Sequence, residues 1–221
     1  MEWLQPLIDL VSMLWDVVMH LDRHLVELVS RYDSWVYLIL FAIIFAETGL
    51  VITPFLPGDS LLFAVGALAA VDTSGTLQPG TAFALLAAAA ILGNTTNYAI
   101  GRAVGPRAFS GKVRLLKVEY LRRTEQFFER HGGKTIILSR FVPIIRTCAP
   151  FVAGIGHMQY VRFQLHNCVG GIAWVAIFIF GGYLFGNIPL VKNNFGVVTI
   201  LIIVVSLIPM MLAFVRGKPA A

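Results

Sequence analysis

Apolar runs of bilayer length alternate with short polar segments along this chain. Four of these runs, which we predict to be transmembrane helices, are 35–53, 81–101, 162–186 and 195–215. Two further apolar runs, 55–71 and 135–156, are interrupted by Pro and Gly close to charged residues. Broken segments of this kind are tolerated at membrane depth only when they pack against protein. We therefore predict that both are re-entrant hairpins.

Residues 1–33 show a different periodicity. Apolar side chains recur at helical spacing, while Glu2, Asp9, Asp16 and Arg23 repeat every seven residues as a polar stripe. This pattern is typical of an amphipathic helix lying in the membrane interface. We expect no cleaved signal peptide, because acidic rather than basic residues open the chain.

The two broken segments carry the same motif. A Phe-x-Pro sequence begins at Phe55 and again at Phe141, and each is followed at nearly the same interval by a Tyr-x-x-Gly sequence ending at Gly101 and Gly186. Only the crossing 81–101 separates the two hairpins, so they enter from opposite sides. The sequence therefore predicts an inverted repeat with hairpin tips near the midplane, as in secondary transporters.

These elements divide the chain into an all-α polytopic membrane protein with three parts. They are an N-terminal amphipathic helix at 1–33, a membrane domain at 34–187, and a final transmembrane helix with a basic tail at 188–221. Within the membrane domain, repeat one spans 35–101, a basic linker spans 102–134 and repeat two spans 135–187.

Composition and charge support this reading. Hydrophobic residues make up 57% of the chain and charged residues 13%, more apolar than a soluble core of this size needs. The linker holds nine basic residues against three acidic ones, which predicts that the linker and the C-terminus are cytoplasmic. Anionic lipid, not nucleic acid, is the expected neighbour. Cys148 and Cys168 are interpreted as reduced, buried residues.

Charges at membrane depth mark the candidate site. Glu47 and Asp59 flank the first Phe-x-Pro, and Arg140 and Arg146 flank the second. A carboxylate in lipid must pair with a cation or take up a proton, so these acids are candidates for proton coupling. Guanidinium groups suit a phosphate, which makes the two arginines candidates for phosphate binding. In the inverted repeat, we expect the acids to face the arginines.

Polar residues beside these charges are candidates for lining a pocket: Ser60, Asn94, Asn97 and Thr147. The sequence contains no metal-ligand, nucleotide-binding or nucleophile motif, so we expect no metal, no cofactor and no enzymatic activity.

The chain resembles the bacterial DedA family, whose members share the VTT, or SNARE-associated, domain. The resemblance runs from about residue 35 to 186 and is close enough to suggest the branch that gives the family its name. It is carried by five segments, namely 47–50 (ETGL), 55–62 (FLPGDSLL), 93–102 (GNTTNYAIGR), 131–134 (HGGK) and 139–147 (SRFVPIIRT).

This resemblance implies an inner-membrane protein with two re-entrant hairpins that recycles undecaprenyl phosphate by moving it from the outer to the inner leaflet, with the proton motive force implicated. The family's functional acids correspond to Glu47 and Asp59, and its functional arginines to Arg140 and Arg146. Asn94 departs from the pattern, because many relatives have an acid there. Eukaryotic relatives scramble phospholipids.

Three functions remain open at this stage. The first is a flippase for a polyprenyl phosphate or another anionic lipid, with protons as the coupling ion. The second is a proton-coupled antiporter of small cations or drugs that uses the same acids. The third is a non-transporting membrane scaffold, in which all four charges are structural. The sequence leaves open a homo-oligomer, sodium in place of protons, and whether the run 55–71 re-enters or spans the membrane.

Overall fold

The computed structural model describes residues 27–50 except 30, residues 58–72, 75–108 and 132–186, and a few residues between 188 and 204. Within these ranges the chain is helical and contains no strand. A 3₁₀ turn at Asp33–Trp35 leads into six helices, which are α1 (Val36–Gly49), α2 (Gly58–Val71), α3 (Pro79–Ala108), α4 (Lys134–Ser139), α5 (Pro143–Ile155) and α6 (Tyr160–Phe185).

Proline determines where two of these helices begin. Pro79 opens α3 and Pro143 opens α5, at the position where a missing N–H costs no helical hydrogen bond. Val142 precedes Pro143 in an extended conformation (φ −124°, ψ 105°), because the proline ring disfavours a helical residue before it. The chain between α4 and α5 is therefore broken at residues 140–142.

Helix α3 is central to the packing, and α4 packs against α5 and α6. Helix α3 contacts α1, α5 and α6, while α2 lies mainly along α6. The larger apolar core includes Leu62, Leu86 and Trp174, and a smaller one is built on Tyr98 and Phe163, whose rings stack at 4.3 Å. Helix α3 thus contacts both α1, which precedes the first broken run, and α5, which lies in the second.

Two helices have the length and composition of membrane spans. They are Pro79–Val104 and Tyr160–Phe185, each of 26 residues, or about 39 Å at the rise of an α-helix. They correspond to the predicted crossings 81–101 and 162–186, and both extend slightly beyond the predicted bounds at their N-terminal ends. The predicted all-helical class is confirmed in the described part of the chain.

The broken segments are short helices. The run 55–71 contains the 14-residue α2, and the run 135–156 contains α4 and α5, of 6 and 13 residues. Most of the amphipathic helix predicted at 1–33, most of the basic linker and most of the crossing predicted at 195–215 lie outside the described residues.

Candidate functional site

Arg146, in the first turn of α5, contacts both acids singled out in the sequence. Its Nη1 donates to Asp59 Oδ1 at 2.6 Å, and its Nη2 donates to Glu47 Oε1. The side chain of Arg146 is 3% exposed, so this is a buried ion-pair triad. Glu47 comes from the end of α1 and Asp59 from the start of α2, and the triad therefore joins three helices.

Trp174 completes the environment of this triad. Its indole Nε1 donates to Asp59 Oδ1 at 2.9 Å, and the guanidinium carbon of Arg146 lies 4.7 Å from the centroid of its ring. The same carboxylate oxygen thus accepts from both Arg146 and Trp174. Additional hydrogen bonds of this kind are what a buried ion pair needs to offset the loss of hydration.

Glycines let the acids approach. A Cβ atom at Gly58 would collide with the Glu47 carboxylate, and one at Gly93 would collide with the hydroxyl of Thr48. A Cβ at Gly49 would lie 3.3 Å from the backbone of Gly93, so α1 and α3 touch through their backbones here. Only residues without a side chain permit this close packing.

Asn97, on α3, ties the two halves of the site together. Its Nδ2 donates to the carbonyl of Thr48 at 3.2 Å and to the carbonyl of Thr147 at 2.8 Å. Asn94, Ser60 and Thr147 are also buried. The Oδ1 atoms of Asn94 and Asn97 are buried and accept no hydrogen bond within the described residues.

Arg140 lies in a different environment, although it is only 1% exposed. Its Nη2 donates to Asn167 Oδ1 at 2.5 Å and, at 3.4 Å each, to the carbonyls of Ala90 and Asn167. Its Nε and Nη1 are buried and have no hydrogen-bond partner in the part of the chain that the structure describes.

The structure therefore separates the four predicted residues into two groups. Glu47, Asp59 and Arg146 are in contact, whereas Arg140 donates hydrogen bonds to α3 and α6. Two residues that the sequence reasoning missed complete these groups, namely Trp174 and Asn167. Asn167 carried a usable signal, because a polar side chain inside an apolar crossing is expected to face the protein interior.

The described residues contain no group of three or more His, Cys, Asp or Glu side chains that could hold a metal ion. What this site can do chemically follows from its charges, which are two carboxylates and two guanidinium groups in a setting without bulk water. Such a set can bind an anion, exchange protons, or hold the fold together.

The fold and the buried charges define a class, a helical membrane protein with ionisable groups at its centre. The VTT domain model matches residues 56–184, and the chain belongs to the DedA family of membrane proteins. Protein DedA of Escherichia coli (strain K12) is 51% identical over 96% of this chain and 97% of its own length.

More distant relatives are also membrane proteins by name. Uncharacterized membrane protein Rv0364 of Mycobacterium tuberculosis (strain H37Rv) is 42% identical over 79% of this chain and 76% of its own. Inner membrane protein YghB of E. coli (strain K12) is 36% identical over 84% and 82%, respectively. The family and these names indicate no enzyme. No solved structure matches the chain.

Proposed function

We propose that this protein moves a polyprenyl phosphate, such as undecaprenyl phosphate, between the leaflets of the bacterial inner membrane, with protons as the coupling ion. The observation that carries this proposal is Arg140, a buried cation whose Nε and Nη1 lack hydrogen-bond partners among the described residues. A buried unsatisfied charged donor costs about 1–3 kcal/mol or more, so a ligand that supplies oxyanions is strongly favoured.

The balance of charge explains why protons would accompany the lipid. Glu47 and Asp59 together offset Arg140 and Arg146, so the empty site is neutral when all four groups are ionised. A phosphate adds negative charge in a medium where net charge is expensive. Uptake of a proton by Glu47 or Asp59 would restore the balance, and would also release Arg146 toward a second phosphate oxygen.

The same arrangement disfavours the cation antiporter. Arg146 already contacts both carboxylates, and Arg140 is a second buried guanidinium. A small cation entering this site would therefore meet no net negative charge. An anion would instead meet the buried N–H groups of the arginines. Hydrogen bonds to such groups are stronger than in water, because the surroundings have a low dielectric constant.

We further propose the inverted repeat with two re-entrant hairpins as the scaffold of transport. Helix α2 has 14 residues and would extend about 21 Å, less than the ~30 Å hydrocarbon core. Helices α4 and α5 are shorter still, and α3 passes between the two broken segments. In this arrangement the basic linker and the C-terminus are cytoplasmic, and the repeat units are 35–101 and 135–187.

Cysteine labelling tests this topology. In a variant in which Cys148 and Cys168 are replaced, we expect Gln78→Cys to react with a membrane-impermeant maleimide from the periplasm and Lys134→Cys to react only from the cytoplasm. Both positions are exposed. Labelling of both cysteines from the same side would mean that α3 does not cross, and the inverted repeat would be wrong.

Reconstitution tests the function. In liposomes with a leaflet-resolved assay of polyprenyl phosphate, we expect inward movement to rise as the external pH falls, because the proton enters with the headgroup. Glu47→Gln and Asp59→Asn should remain monodisperse yet flatten this pH response. Wild-type rates and pH response in both variants would make the acids structural. Absence of lipid movement in the wild-type protein would support the scaffold instead.

A further inference from the structure

Asn167 sits between Arg140 and helix α3, and its two amide atoms have separate tasks. Its Oδ1 accepts from Arg140 Nη2 at 2.5 Å. Its Nδ2 donates to the carbonyl of Ile91 at 3.0 Å and lies 3.3 Å from the hydroxyl of Thr95. Asn167 is fully buried, so its orientation is determined by these contacts.

The anchoring of Asn167 is itself reinforced. The Thr95 hydroxyl lies 2.7 Å from the carbonyl of Ile91 and 3.0 Å from Gln164 Oε1, and donates its one proton to one of them. Gln164 Oε1 is also within 3.4 Å of Asn167 Nδ2. Gln164, Asn167 and Thr95 thus form a polar ladder between α3 and α6. The ladder turns the amide oxygen of Asn167, and not its amide nitrogen, toward Arg140, because the amide nitrogen already donates to α3.

We propose that Asn167 is the positioning residue of the anion site, holding Arg140 by Nη2 so that an unpartnered N–H, on Nε or on Nη1, is presented to a phosphomonoester oxyanion. This inference rests on the function proposed above and adds the residue that orients the receptor. Asn167 does not touch the ligand in this scheme. It acts through Arg140, whose Nε and Nη1 are buried donors without a partner among the described residues, as is the Nε of Arg146.

The chemistry of the amide explains why an acid would not serve here. Arg146 is held by two carboxylates, which compensate its charge. The amide oxygen of Asn167 gives Arg140 an acceptor without compensating its charge, and that leaves an attraction for an incoming anion. A carboxylate at position 167 would have nearly the same shape but would neutralise the receptor.

Asn167→Asp is therefore the informative substitution. The probe is farnesyl phosphate, a short isoprenoid phosphate, and farnesol is the same molecule without the phosphate. Binding is measured on the full-length protein in neutral detergent. Inorganic phosphate as a competitor distinguishes a free phosphate ligand from a lipid headgroup, because only a free-phosphate site would be emptied by millimolar competitor.

Arg162→Gln is the matched control. It lowers the net charge by the same amount as Asn167→Asp and lies on the same helix, but Arg162 is exposed. We expect Asn167→Asp to weaken farnesyl phosphate binding by roughly tenfold or more, the scale of a lost charge-assisted hydrogen bond, while Arg162→Gln binds as wild type. Binding of farnesol should be the same in all three proteins.

The remaining outcomes separate this inference from the proposed function. If wild type binds farnesyl phosphate better than farnesol and Asn167→Asp does the same, the anion site stands and the role of Asn167 is overturned. If Asn167→Asp loses farnesyl phosphate and farnesol equally, Asn167 is merely structural. If wild type shows no preference for the phosphate, both the site and its positioning residue are overturned.

A second variant covers the case in which Asn167→Asp is not monodisperse. Asn167→Ser removes the amide without adding charge, and should lower the preference for farnesyl phosphate over farnesol by a few-fold because Arg140 loses its tether. An unchanged preference in Asn167→Ser would overturn the inference.

Discussion

Arg140 and Arg146 lie in one broken segment, yet their hydrogen-bond partners differ in charge. Arg146 is bound by two carboxylates and covered by an indole ring. Arg140 is held at one nitrogen by a neutral amide and by backbone carbonyls. Burial alone therefore does not define the role of a membrane arginine. What differs between the two arginines is the charge of their partners, two carboxylates for Arg146 and neutral groups for Arg140.

Removing Arg146 is expected to have the largest effect. Arg146→Ala leaves Glu47 and Asp59 buried without their cation, and breaking a buried pair in this way costs about 3–5 kcal/mol. For a chain of this size, that corresponds to a fall of roughly 10 °C in the unfolding midpoint. Thermal unfolding in detergent measures it, with the exposed Arg162→Gln as control. A midpoint equal to that of the control would show that the triad contributes nothing to stability.

Arg140→Lys should have a smaller and different effect. Lysine keeps the positive charge but loses the planar fork, so we expect the affinity for farnesyl phosphate to fall by about 1–3 kcal/mol. Because Arg140 has no carboxylate partner within the described residues, the unfolding midpoint should change less than in Arg146→Ala. If Arg140→Lys lowered the unfolding midpoint but left the affinity for farnesyl phosphate unchanged, Arg140 would be a structural residue and not a ligand-binding one.

A methyl group beside Arg140 should have the smallest effect. A Cβ at Gly170 would lie 3.1 Å from Arg140 Cδ, whereas one at Gly181, on the same helix, would meet nothing within 4 Å of it. Gly170→Ala should therefore shift the guanidinium and lower phosphate affinity a few-fold, while Gly181→Ala should bind as wild type. Isothermal titration calorimetry with farnesyl phosphate compares the two variants. Equal affinities would mean that a shift of the Arg140 side chain does not affect phosphate binding.

Much of the fold could be predicted because the bilayer constrains it so strongly. The long apolar runs at 81–101 and 162–186 have few interpretations other than membrane helices, and both are helices in the structure. The break before Pro143 was also visible, because proline restricts itself and its neighbour. The helix ends were less accessible, since α3 continues through polar residues to Ala108.

The pairing within the site could not be read from the sequence. Four charges of balanced sign allow several pairings, and the choice depends on the side-chain rotamers and on the rotation of each helix about its axis. Trp174 carried no distinct signal, because an aromatic residue in an apolar crossing is ordinarily core or lipid-facing. Its indole N–H matters only once α6 is packed against α2, where it reaches Asp59.

The position of Trp174 also gives the protein an optical reporter. The chain has four tryptophans, at positions 3, 15, 35 and 174. Trp35 is 68% exposed, whereas Trp174 is fully buried and stacked on the Arg146 guanidinium. The emission of an indole shifts and is quenched according to the charges beside it. With the other three tryptophans replaced by phenylalanine, departure of Arg146 from the acids would register as a change in fluorescence, and the opening of the triad could be timed during a single turnover.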